Sequence, residues 1–209
     1  GSFIWSPQQD GLSTDLNRRY FLRLISADDA SVRDDNREPF SVPPDNNEFY
    51  LNDDSATGDT FTSSFGDNRN TGKSPGDPKA ILPALLQNYQ LGANQTVFVD
   101  AGYYMHVVNL VISADGTTGN DEAFAMEGSS GGVIFDRANE RPGTRSLEIL
   151  DADFVTLRNL TLRGGEEGIK VHNQSIFFKG ENLDVSDHPK FGISITGNSD
   201  NATLQNLTV

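Results

Sequence analysis

The 209-residue chain predicts an all-β fold, a three-sided parallel β-solenoid entered through a capping helix, on three observations. Asn159-Leu160-Thr161-Leu162, Asn182-Leu183-Asp184-Val185 and Asn206-Leu207-Thr208-Val209 repeat one pattern at intervals of 23 and 24 residues. Gly168-Ile169-Lys170-Val171 and Gly192-Ile193-Ser194-Ile195 interleave with it, and Leu147-Glu148-Ile149-Leu150 keeps their phase one coil earlier. Phe154-Val155-Thr156-Leu157, Ser175-Ile176-Phe177-Phe178 and Asn201-Ala202-Thr203-Leu204 give a third alternating segment per period. Three such segments in 22 to 24 residues are what one coil of a triangular solenoid needs. Each strand turns alternate side chains inward. One coil cannot bury that face alone, so coils stack and the segments become parallel sheets.

The elements before the repeat read differently. Tyr20-Phe21-Leu22-Arg23-Leu24-Ile25 is a strand-like run and Pro39-Phe40-Ser41-Val42 a second, separated by an Asp/Asn/Ser-rich loop from Ser26 to Glu38. This stretch resembles the last strands of an immunoglobulin-like or fibronectin-like sandwich. About 40 residues cannot build two sheets, so residues 1–44 are read as the remnant of such a module, with Trp5 a core residue of it. A composition shift at Pro43-Pro44 marks the boundary. Gly1-Ser2 at the start and a strand ending at Val209 lead us to expect a longer parent with further coils and modules.

Residues 45–95 are expected to hold an N-terminal strand, acidic loops and the capping helix, and residues 96–209 the coils. Ile81, Leu82, Leu85, Leu86 and Tyr89 recur at helical spacing. Pro83 is tolerated only in a first turn, so the helix should begin near Ala80 or Ile81 and stop by Gly92. Its task is to cover the open first coil. Asn159, Asn182 and Asn206 fall at the bend before each Leu and are expected to stack inside the turn as a structural ladder of amides.

With Thr96 to Tyr104 as opening strand and turn, and Ser74-Pro75-Gly76-Asp77-Pro78 ahead of the helix, residues 48–209 resemble the right-handed parallel β-helix proteins, the pectin-lyase-like superfamily. The resemblance implies a right-handed three-sheet helix. It leaves activity open, since that scaffold serves lyases, hydrolases, epimerases, tailspikes, adhesins and stalks.

Charge narrows the partners. Sixteen basic against 30 acidic residues give a net charge of -14. No basic stretch offers release of counterions from phosphates, so nucleic acid is excluded, as is an anionic membrane surface. No apolar run reaches the ~20 residues of a membrane span. The lack of cysteine excludes disulfides and cysteine-zinc sites. No organic cofactor motif is present. Gly128-Ser129-Ser130-Gly131-Gly132 precedes a strand and carries no P-loop lysine.

Three constellations could carry chemistry. Alternation places Ile169 and Val171 inside and Lys170 and His172 outside, with Ser194 and Thr196 on the same lanes one coil on. The loops leading in bring His188 and Lys190 near. A polyuronate lyase or C5-epimerase needs a cation for the sugar carboxylate, a base for the C5 proton and an acid for the leaving oxygen. Lys170, His172, His188 and Lys190 are the catalytic candidates; Ser194, Thr196 and Tyr104 are the substrate-binding ones. Against this, aligning the loops at Gly168 and Gly192 pairs Glu166 with Lys190 and Arg163 with Asp187 as plain ion pairs, and Glu148 faces Lys170. Glycoside hydrolysis finds no convincing pair of carboxylates. Calcium could take oxygens from Asp53, Asp54, Asp59 and Asp67, or from the loop of Asp115, Asn120, Asp121 and Glu122, though EF-hand spacing is absent. The leading expectation is a structural or adhesive module of a secreted or cell-surface protein that contacts extracellular polysaccharide. A lyase or epimerase on an acidic glycan is the alternative, and a mechanical spacer the third.

Overall fold

The computed structural model describes residues 11–15, 18–40, 42, 46–113 and 124–209. Trp5, the Pro43-Pro44 boundary and the loop of Asp115, Asn120, Asp121 and Glu122 lie outside the described residues. The chain divides into two compact units, residues 1–46 and 47–209.

In the first unit β1 (Arg23–Ile25) pairs antiparallel with β2 (Arg33–Asp35), and one bridge joins Tyr20 to Phe40. The returning strand therefore begins within the stretch read as loop, and of the second run Phe40 continues the pairing as a single bridge to Tyr20. The Asp29 carboxylate accepts from the Ser31 amide and Ser26 N donates to Val32 O, which closes the turn early enough for Arg33 to meet Ile25. Pro39 has no N–H to give a ladder. Arg23 and Asp35 form an exposed ion pair at 2.6 Å across the two strands.

The second unit is a parallel β-solenoid of about four turns. Its first face is built from β3 (Glu48–Leu51), β4 (Gln95–Val99), β7 (Phe124–Gly128) and the leading halves of β10 (Val155–Arg163), β12 (Lys179–Asp184) and β14 (Thr203–Thr208). The second face holds β5 (Gly102–Met105), β8 (Val133–Asp136) and the trailing halves of β10, β12 and β14. The third holds β6 (Leu110–Ile112), β9 (Arg145–Leu150), β11 (Glu167–His172) and β13 (Phe191–Ile195). Every pairing here is parallel, as a coil-by-coil stack requires.

Register follows the repeats: Leu160 pairs with Leu183 and Leu183 with Leu207, while Leu147 pairs with Ile169 and Ile169 with Ile193. Leu147, Ile149, Leu157, Leu160, Ile169, Val171 and Leu183 are buried in one continuous core. The third series is shifted, however. Thr156 pairs with Lys179 and Lys179 with Thr203, so Phe154, Phe177 and Asn201 are equivalent, and Ser175 belongs to the turn before them. All three adopt left-handed backbone, and the Phe154 and Phe177 rings stack at 4.7 Å. A slip of two residues keeps the inward side chains inward, so alternation alone does not detect it.

β10, β12 and β14 each turn a corner at Asn159, Asn182 and Asn206, with φ of 57°, 52° and 52°. Asn tolerates this region because its short polar side chain can bond locally. Asn206 Nδ2 donates to Asn182 Oδ1 at 3.0 Å, and Asn182 Nδ2 to Asn159 Oδ1 at 2.9 Å. Asn159 Nδ2 then donates to the Glu127 carboxylate. Asn182 and Asn206 are exposed, so the ladder runs along the outer corner and not inside the turn.

Helix α1 (Leu82–Asn88) starts after Ile81 with Pro83 in its first turn. It ends earlier than Gly92: Tyr89 is already extended, its N–H still bonded to Leu85 O. Leu82 and Leu85 are buried, and Leu86 and Tyr89 pack against the solenoid core.

Candidate functional site

The outward side of the third face carries the candidate residues. In β11, Ile169 and Val171 are fully buried, which sends Lys170 and His172 outward. Lys170 stands between Glu148 and Ser194 in register. Gly168 allows the approach from the next coil: a Cβ there would meet Val185 Cγ1 at 2.3 Å and His188 Nε2 at 2.7 Å.

Glu167 is the hub. Its side chain is 5% exposed and its two oxygens face three cations: Lys190 Nζ at 2.8 Å, Arg145 Nε at 3.4 Å and Lys170 Nζ at 4.0 Å. Burial pushes the Glu167 carboxyl up, but Lys190, Lys170 and Arg145 together outweigh it and hold the group below the usual glutamate range. The hydrogen bond to Glu167 raises Lys190 in turn. Arg145 Nη1 also reaches Glu148 Oε2 at 3.1 Å, and Glu148 Oε1 lies 2.6 Å from His172 Nε2. The face is thus one chain of charges, Lys190, Glu167, Arg145, Glu148, His172, with Lys170 beside it.

The ion pairs differ from those read by loop alignment. Lys190 pairs with Glu167 and not Glu166, whose carboxylate accepts from Gly143 N. Arg163 lies 4.0 Å from Asp184, not against Asp187. Both shifts have one cause: aligning at the glycines fixes the strands but not the path of side chains in the loops before them.

His188 is not poised as a base. Its Nδ1 and Nε2 face the carbonyls of Gly165 and Leu162 at 2.9 and 3.0 Å, which makes the ring a clasp between coils. Ser194 is half-buried, its Oγ enclosed without a hydrogen-bond partner among the described residues. Thr196 is exposed. Tyr104 does not face a substrate: it is 3% exposed, packs on Phe135 at 5.3 Å and donates to Asp100 O. Burial first, then the carboxylates of Asp53, Asp100 and Asp59, raises its phenol. Alternation sends Tyr103 outward instead.

The structure does not gather the four calcium candidates into a ligand set. Asp53 Oδ1 accepts from Ser55 N, and Asp54 is exposed. Arg69 binds the Asp67 carboxylate at 2.6 Å and holds it down to about 2. Asp59 Oδ2 accepts from Asn52 at 2.8 Å. Burial raises Asp59, Asn52 lowers it, and Asp100 and Asp53 raise it further. Among the described residues no three acidic or histidine side chains converge as a metal site would require. The carboxylate that organises this loop is Asp100, fully buried, which accepts from the backbone N–H groups of Thr60, Phe61 and Thr62 at 2.6 to 3.1 Å.

Sequence reasoning missed Arg145 and Glu167 as the centre of the charged face. The interval that aligns Leu147 with Ile169 also aligns Arg145 with Glu167, so the signal was present. Asp100 gave none, since its partners lie 38 to 40 residues away in an irregular loop.

In comparisons with protein-family models, curated proteins and solved structures, nothing matches the chain.

Proposed function

We propose that this chain is a rigid structural and adhesive module of a secreted or cell-surface protein, of the pectin-lyase-like kind, which contacts polysaccharide. The observation that carries this reading is the interlocking of the third face. Lys190, Arg145 and Lys170 converge on Glu167, His172 engages Glu148, and His188 is held by two backbone carbonyls. Groups in these roles join coils, and a scaffold built of such joints resists deformation. The net charge of -14 suits an extracellular surface that stays dispersed.

One contact favours the lyase or epimerase reading. His172 Nε2 is 2.6 Å from Glu148, the pairing by which a carboxylate orients an imidazole base, and Lys170 lies in register with Glu148. Incubation with a panel of acidic polysaccharides, followed by absorbance of unsaturated uronate, separates the two. The module reading expects a flat trace together with retardation in polysaccharide-loaded native gels. Absorbance that rises with the wild-type chain and vanishes in His172→Ala would overturn it in favour of the enzyme. No retardation by any polysaccharide would remove the adhesive role.

A further inference from the structure

The corner between the second and third faces holds a cavity of about 420 Å³ that crosses three successive coils. Asp136, Asn139 and Glu140 line it from the coil of β8, Arg163 from the end of β10, and Asp187 from the loop after β12. Its volume falls in the range of about 300–1,000 Å³ usual for small-ligand sites. With adjacent strands about 4.8 Å apart, three coils give it a length of about 10 Å along the solenoid axis.

Its walls are ordered from behind. Asp136 Oδ1 accepts from Ala138 N at 2.6 Å, and Oδ2 from the Tyr103 hydroxyl at 2.5 Å. Gly164 forms part of the floor, where a Cβ would strike Asp136 Oδ1 at 2.3 Å. The Arg163 carbonyl accepts from Arg137 N and from Ser146 Oγ, which fixes the base of that side chain. Its guanidinium reaches only the edge of Asp184, at 4.0 Å, and is about half exposed. Asn139 Oδ1 accepts from Arg141 N, which fixes that side chain in the lining of the cavity. Tyr103 adjoins this lining through the bond of its hydroxyl to Asp136, and 55% of its surface is exposed.

We propose that this cavity is a saccharide-binding groove that takes the sugar units of a neutral polysaccharide running along the solenoid axis. Carboxylates accept from sugar hydroxyls, the guanidinium and amide donate to sugar oxygens, and the Tyr103 ring offers an apolar surface to sugar C–H groups. Three carboxylates against one guanidinium line the cavity, so a polyuronate meets net repulsion there. The guanidinium among them sets the groove apart from a bare acidic cluster, which would favour a cation. This inference rests on the adhesive reading above and names both the place and the class of glycan.

The test is isothermal titration and gel retardation of the full chain. The probes are neutral hexasaccharides (gluco-, manno- and xylo-oligomers), oligogalacturonate, and a glucosamine oligomer. Binding of one neutral series is expected, weakened about tenfold or more in Tyr103→Ala and in Arg163→Ala. All three side chains to be changed, with Asp187→Asn as the third, point outward, and thermal melting verifies that the fold is kept. Polysaccharide binding that all three variants leave intact would overturn the groove while sparing the adhesive reading. A preference for oligogalacturonate or for the glucosamine oligomer would overturn the neutral-glycan assignment. Absence of binding to every probe and polysaccharide would overturn the groove and the adhesive reading together.

Discussion

His106 and Glu167 show how single titrating groups couple this fold to pH. His106 is 5% exposed, with Nε2 3.1 Å from Ser146 O, and burial lowers it below the ordinary histidine value of 6.5. The unfolded chain then binds the proton first, so stability falls as pH drops below about 6.5. Glu167 lies below its ordinary 4.5, so its contribution is complete above that pH and is lost as pH falls through the folded value. Urea unfolding measured from pH 8 to 3.5 should show a decline beginning near 6.5 and a second near 4.5. His106→Leu is expected to abolish the first decline and leave the second. A flat profile in the wild-type chain would refute both assignments. His106 draws no notice in the sequence, and Glu167 reads there only as one of the charged residues of the loops over the third face, because burial and partners, not residue type, create the effect.

At the scale of elements, what could be read from the sequence was the period, and what could not was the exact lateral seating. The Asn-Leu repeat located the corner between the first and second faces because Asn tolerates a left-handed bend and its amide can both donate and accept along the stack. The Phe177 position was misread by two residues because period-two patterning is blind to an even slip. The helix was legible from Leu82, Leu85 and Leu86, but its early end at Asn88 was not, since no Gly or Pro stands there. The segment 60–62 is a different kind of element: it has no regular structure and is held by Asp100. Asp100→Ala leaves three backbone donors facing a void, and a loss of about 2–5 kcal/mol is expected. Guanidinium unfolding measures it, and proteolysis within residues 54–66 should accelerate. An unchanged midpoint would show that water replaces the carboxylate without cost. The candidate site was legible only in part: residue types and lanes came through, while ion partners and the corner groove depended on loop paths.

Over the whole molecule, position in the stack decides what a residue contributes. Ile169 and Ile193 are register partners that each follow a glycine, yet Ile169 is fully buried and Ile193 only half-buried, since β13 is the edge strand of its sheet while β11 is paired on both sides. Ile169→Asp puts a charge between coils on both sides and is expected to prevent folding, at a cost above about 4 kcal/mol. Ile193→Asp should cost clearly less and fray the last coil alone. Circular dichroism melts of the two variants compare them directly; equal losses would mean that the last coil is as cooperative as the interior. The charged face obeys the same logic, since Glu167 gathers cations from its own strand, from the coil before and from the loop after it.

The register itself has a mechanical meaning. Stacked positions such as Asn182 and Asn206 sit one coil apart, and a coil advances the solenoid by only about 4.8 Å. The same 24 residues drawn straight reach about 80 Å. A load that peels one coil from the end therefore pays out some sixteen times the length that coil occupied, while the coils beneath it keep their bonds. Pulled by its two termini in a force-spectroscopy experiment, this chain is expected to hold its length at low load and then to extend in discrete steps of about one coil each, and a single all-or-none extension would refute coil-by-coil yielding.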